Sequence, residues 1–192
     1  MRDIPRNFIR TSSPRWVSDA DPTPATVVVP SPVMPAEHPA VLRVRAELTA
    51  RGGAGDQVRI LDGAARTAVE AAAQLGVDVA QIIKSMVFDA DGAPLLVLAS
   101  GRHQVDTAKV AALVGAGAVQ RPDADFVRTH TGFAIGGVAP LGHPEQIRTL
   151  VDQDLANYEV LWAAAGHPYA VFPTTYDELV SMTGGVPADV GA

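Results

Sequence analysis

The chain of 192 residues contains no cysteine, which removes disulfides, thiolate metal sites and a cysteine nucleophile together. Lysine is nearly absent: Lys84 and Lys109 are the only two, and arginine supplies the remaining positive charge. No apolar run approaches the ~20 residues of a membrane span, and the N-terminal arginines precede no apolar segment of the secretory kind. A cytoplasmic location without membrane contact is therefore expected. The net charge of −6 and pI near 5.2 argue against a general nucleic-acid binder, so such a contact would need a local basic patch. There is no G-x-S-x-G elbow, no H-E-x-x-H pair and no Walker loop. The histidines at 38, 103, 130, 143 and 167 show no i, i+4 pairing, and no catalytic carboxylate pair stands out. A reaction needing a positioned carbonyl, a cation and a water, with no metal or cofactor, suits what remains. His130 and His143 flank a glycine-rich stretch and could meet across it.

What is present is a globular composition, 47% hydrophobic, long enough for one domain with a core. Residues 1–36 read as a separate arm, because prolines at 5, 14, 22, 24, 30, 32 and 35 oppose both helices and central strands. Residues 37–186 read as the folded domain and 187–192 as a tail. The pattern of Val41, Leu42, Val44, Ala46 and Leu48 predicts a helix over residues 38–51. The following Gly52-Gly53-Ala54-Gly55 leads into a strand, the reverse of a dinucleotide-binding order. Further helices are expected over 67–75, from about 106 to 114 behind the cap Asp106, over 123–130 behind Asp123, and over 176–182. Strands are expected over 82–88, 94–99, 147–151, 159–164 and 169–172. Their irregular alternation with helices departs from a doubly wound rhythm and fits a mixed α/β fold with a strongly curved or partly closed sheet and helices around it.

Two stretches invite chemistry. Residues 129–143 hold Gly132, Gly136, Gly137, Pro140 and Gly142, with Phe133-Ala134-Ile135 expected as a short buried strand. Adjacent glycines allow positive φ and close backbone approach, so several N–H groups can converge on one acceptor. A tight hairpin without a ligand explains the same residues. In a strand over 82–88, Ile82, Lys84, Met86 and Phe88 share a face. Lys84 then needs a partner among apolar neighbours, unless it snorkels to the sheet rim.

Taken in order, Ile82-Ile83-Lys84-Ser85-Met86-Val87-Phe88, Val105-Asp106-Thr107-Ala108-Lys109-Val110, and Thr131-Gly132-Phe133 with Gly136-Gly137-Val138-Ala139-Pro140-Leu141-Gly142 resemble the YbaK/prolyl-tRNA editing domain family. The resemblance covers about residues 38–185. It implies the mixed α/β barrel-like fold and a metal-independent aminoacyl-tRNA deacylase acting in trans. The 3′ acceptor end of aminoacyl-tRNA is the implied partner. An aminoacyl-tRNA synthetase is the second, since some members are inserted domains of prolyl-tRNA synthetase. It implies catalytic roles for Lys84, Gly136 and Gly137, and substrate contacts from Ser85, Thr131, Gly132, Val138, Ala139, Pro140 and Gly166. Two departures bear on amino-acid specificity: Ala164-Ala165 stands where some members carry Ser-Gly, and Val171 where some carry Asp. A catalytically idle module that binds a tRNA end or small ligand in the same pocket is the alternative.

Overall fold

The computed structural model describes residues 35–192 except Ala54. The arm expected over residues 1–36 thus lies almost wholly outside the described residues. Helix α1 (Pro39–Ala50) starts at the cap His38 with Pro39 at its first position, and buries Val41, Val44 and Leu48 on one face. Leu42 and Ala46 of the expected stripe are exposed. Strand β1 (Arg59–Ile60) is followed by α2 (Ala68–Leu75). There Thr67 and Glu70 form a reciprocal capping box, and Gly76 closes the helix in the left-handed region. A second box, Asp78 with Gln81, fixes the 3-10 turn Val79–Gln81 that delivers the chain into β2 (Ile83–Ala90). β3 (Ala93–Ser100), α3 (Thr107–Val114), β4 (Val119–Gln120) and α4 (Ala124–Thr131) follow, with Asp106 and Asp123 capping the two helices. The C-terminal part contributes β5 (Arg148–Asp152), β6 (Leu161–His167), β7 (Ala170–Thr174), α5 (Tyr176–Thr183) and β8 (Val186–Ala188).

Eight strands form two sheets among the described residues, ordered β1-β7-β6 and β4-β2-β3-β5-β8. β2 and β3 form an antiparallel hairpin, while β3-β5 and β5-β8 run parallel. The near-continuous apolar run of β3 follows from its central place, since both faces are covered. Leu96 and Leu98 point into one core with α1 and Phe172. Leu95, Val97 and Ala99 point into a second, with Val110 of α3 and Phe88. A third cluster packs Ala71 and Ala72 of α2 on Trp162 and Val171. An isolated bridge, Ile82 to Trp162, joins the sheets, which do not close into a barrel.

The structure departs from the sequence reading at three places that shape the site. Residues 133–135 are not a strand. Gly132 ends α4 at φ 70°, Phe133 turns inward, and Ile135 is exposed in a loop closed by the Gly137 N–H on the Ala134 carbonyl at 3.0 Å. β6 does not stop before Gly166; a register shift between Ala164 and His167, with Gly166 at φ 87°, carries it to His167. The supposed tail belongs to the sheet edge through β8, with Val190 fully buried and Gly191 bridged to Val105.

Candidate functional site

The site begins as a gap in strand pairing. β2 bonds to β3 along its whole length. Its other edge meets β4 only at Asp89 and Ala90, and the Ile82 bridge to Trp162 closes the far end. Between these, residues 83–88 pair with no strand on that side among the described residues. The glycine loop, the β6–β7 turn and the start of α2 enclose a cavity of about 540 Å³ beside this edge. Its wall includes Ile82, Lys84, Ser85, Gly136, Val138 and Trp162.

Lys84 and the glycine loop, far apart in sequence, therefore share one pocket. The Lys84 ammonium donates a hydrogen bond to the His103 carbonyl. Burial pushes its pKa below the ordinary 10.5, the Asp152 carboxylate pulls the other way, and Arg121 adds to the lowering. Asp152 is buried and accepts from the Ser100 N–H at 2.9 Å and the Asp154 N–H at 3.1 Å. Its carboxylate lies 2.7 Å from His103 Nδ1, and Asp154 lies 3.0 Å from His103 Nε2. The loop that holds the lysine is thus itself held by two carboxylates.

Gly136 adopts φ 89°, open to glycine at little cost. A side chain at Gly137 would come within 3.0 Å of the His167 Cα, so the loop rests directly on the β6–β7 turn. The N–H groups of Gly136 and Val138 donate to no protein acceptor among the described residues. Ser85 Oγ is buried with no hydrogen-bond partner among the described residues. Ser85 also lines a side chamber of about 150 Å³ with Met86, Ile135 and Val138.

The other candidates stand behind this wall. Thr131 is fully buried, donating to the Val127 carbonyl at 2.7 Å and accepting from the Phe133 N–H at 3.0 Å. Gly132 takes the Arg43 guanidinium on its carbonyl at 3.0 Å. Ala139 is fully buried in the main core, and Pro140 lines a separate polar groove with His143 and Gly184. At Gly166 an added Cβ would meet the Ala40 carbonyl oxygen at 2.7 Å. His130 packs on Phe126, whereas His143 meets the Phe133 edge and the Ala139 carbonyl, so the two histidines have different partners.

Sequence reasoning passed over Arg66, Arg121, Trp162 and His167, which also line the pocket. The His167 ring lies 4.7 Å from that of His38 and stacks on Tyr169. Burial, then the neighbouring His38, lowers its pKa. Only the Gly166-His167-Pro168 turn signal could have pointed to it. Among the described residues no group of three His, Cys, Asp or Glu could hold a metal ion, and no helix is long and apolar enough to cross a membrane.

Residues 62–182 match the family model of the aminoacyl-tRNA editing domain. The chain belongs to that family, as its motif order and its fold both indicate. A solved structure described as a candidate trans-editing enzyme for prolyl tRNA synthetase is 41% identical, with a TM-score of 0.76 over 80% of this chain and 98% of that one. Proline–tRNA ligase of Streptococcus suis is 30% identical over 148 residues, 71% of this chain and 24% of the ligase. That of Lysinibacillus sphaericus is 33% identical over 87 residues, 45% of this chain and 15% of the ligase. The chain thus spans a quarter or less of the ligases it matches.

Proposed function

We propose that the protein hydrolyses, in trans and without a metal, the ester of a mischarged aminoacyl-tRNA carrying a small amino acid such as Ala, Cys or Ser. The observation that carries this is the convergence of Lys84 and the glycine loop on one cavity at the open edge of β2. An aminoacyl ester is already activated, so orientation and oxyanion stabilisation suffice. In this scheme water attacks the ester carbonyl carbon, and the Gly136 and Val138 N–H groups receive the developing oxyanion. The bond to the ribose oxygen then breaks. That oxygen takes a proton, and free amino acid and the tRNA 3′ end depart. Lys84 acts as a cation toward a phosphate or carbonyl oxygen, not as a nucleophile. The cytoplasm is the expected compartment, and a synthetase is the expected source of the mischarged tRNA.

One observation favours a second reading, an idle binding module: among the described residues no carboxylate lines the pocket to serve as a base. A panel of mischarged tRNAs separates the two. Release of amino acid above the spontaneous rate supports the deacylase; retained binding without release supports the module.

A further inference from the structure

Among the described residues the pocket wall carries Arg66, Lys84, Arg121 and His167 and no acidic side chain, although the whole chain bears a net charge of −6. Arg66 stands just before Thr67, the cap of α2, and Arg121 immediately after β4, so two separate elements each bring an exposed arginine to this wall. Neither forms an ion pair within 4.0 Å among the described residues. Arg51 and Arg102 do form ion pairs, while Arg43, Arg45, Arg59, Arg128 and Arg148 form none among the described residues, so what sets Arg66 and Arg121 apart is their shared place on this wall. Glu70 feels the Arg66 charge but is not part of the wall. Arg121 lies near enough to Lys84 to disfavour its ammonium. Two guanidinium groups and an ammonium on a wall whose described residues include no carboxylate, in an acidic protein, call for an anion. Arginine's planar fork matches a phosphodiester, which single-stranded RNA supplies at every linkage.

We propose that Arg66 and Arg121 bind the internucleotide phosphates of a single-stranded RNA 3′ end, leaving Lys84 and the glycine loop to the acyl ester. This rests on the deacylase reading and adds to it the residues that distinguish a polynucleotide from its terminal nucleoside.

The test uses the full chain and the double variant Arg66→Gln, Arg121→Gln. Binding of an oligoribonucleotide ending in CCA is measured by fluorescence anisotropy at two salt concentrations. Each phosphate contact on a single strand adds ~0.7 to the slope of log affinity against log salt. Two contacts add about 1.4, so between about 50 and 200 mM salt the wild type loses roughly seven-fold more affinity than the variant. Where turnover is observed, the ratio of kcat/KM on aminoacyl-tRNA to that on aminoacyl-adenosine, which has no phosphate, falls several-fold in the variant. An unchanged salt slope, an equal loss on both substrates, or no oligonucleotide binding by the wild type overturns the assignment. Absence of hydrolysis on every substrate sinks the deacylase reading alone, since the salt slopes still decide whether the arginines hold phosphate.

Discussion

Replacing Lys84 by alanine removes the one ammonium in the pocket wall. Two unit charges ~4 Å apart attract by ~1 kcal/mol in water and ~4 kcal/mol at an effective dielectric of ~20. Lys84 is half-buried, so solvent screens part of the larger figure and leaves about 2–3 kcal/mol in the transition state. At ~1.36 kcal/mol per factor of ten, kcat/KM on a mischarged tRNA falls roughly 30- to 150-fold. The fold should survive, because the side chain adds one hydrogen bond to the His103 carbonyl and otherwise lines the pocket rather than a core cluster. Circular dichroism and the melting curve check this. Lys84→Arg restores little, since a planar fork needs more room than a point charge. The pH profile adds an independent readout. Burial places the folded pKa below 10.5, and the ammonium is the competent form. Activity therefore declines as pH rises through that lowered value, and the decline is absent in Lys84→Ala. A Lys84→Ala variant that deacylates at the wild-type rate would refute the assignment.

Three further outcomes are expected. Gly166→Ala places a Cβ 2.7 Å from the Ala40 carbonyl and 3.0 Å from the Phe133 ring at a φ of 87°. Strain of ~1–3 kcal/mol and overpacking of ~1–3 kcal/mol should lower Tm by about 5–20 °C at ~2–4 °C per kcal/mol; an unchanged calorimetric Tm counts against the bulge's role. His143 is held below its ordinary pKa of 6.5 mainly by burial, with Arg43 adding to this and the Ala139 carbonyl opposing it. The unfolded chain then takes up the proton first. The contribution to stability is complete above pH 6.5 and declines as pH falls toward the folded value. Denaturant titrations should show that His143→Gln flattens this slope. Deleting residues 1–36 should shift Tm little, and a large loss would place the arm in the core or an oligomer interface.

The helices were legible because their ends are written locally. Thr67 with Glu70, Asp78 with Gln81 and Thr175 with Glu178 close capping boxes over three residues, and Gly76 and Gly115 supply left-handed stops. The central strand was legible because a run apolar on both faces needs cover on both faces. The pocket was half legible. Lys84 and the glycines announce themselves by scarcity and clustering, but the cavity exists because β4 pairs with only the end of β2, a fact of tertiary pairing. Arg66 and Arg121 sit in connecting segments whose sequence gives no cue to what they face. The segment 133–135 misled because three apolar residues fit a strand as well as a loop; Gly132 as a helix stop decides the matter. β8 escaped because it is three residues long and contains Pro187, which a sheet edge tolerates.

Amino-acid release from a panel of tRNAs charged with Ala, Cys, Ser and larger residues measures the central claim most directly. The expected result is release well above the spontaneous rate for at least one small amino acid, and its loss in Lys84→Ala. Release at the spontaneous rate across the whole panel, from folded protein, would contradict it.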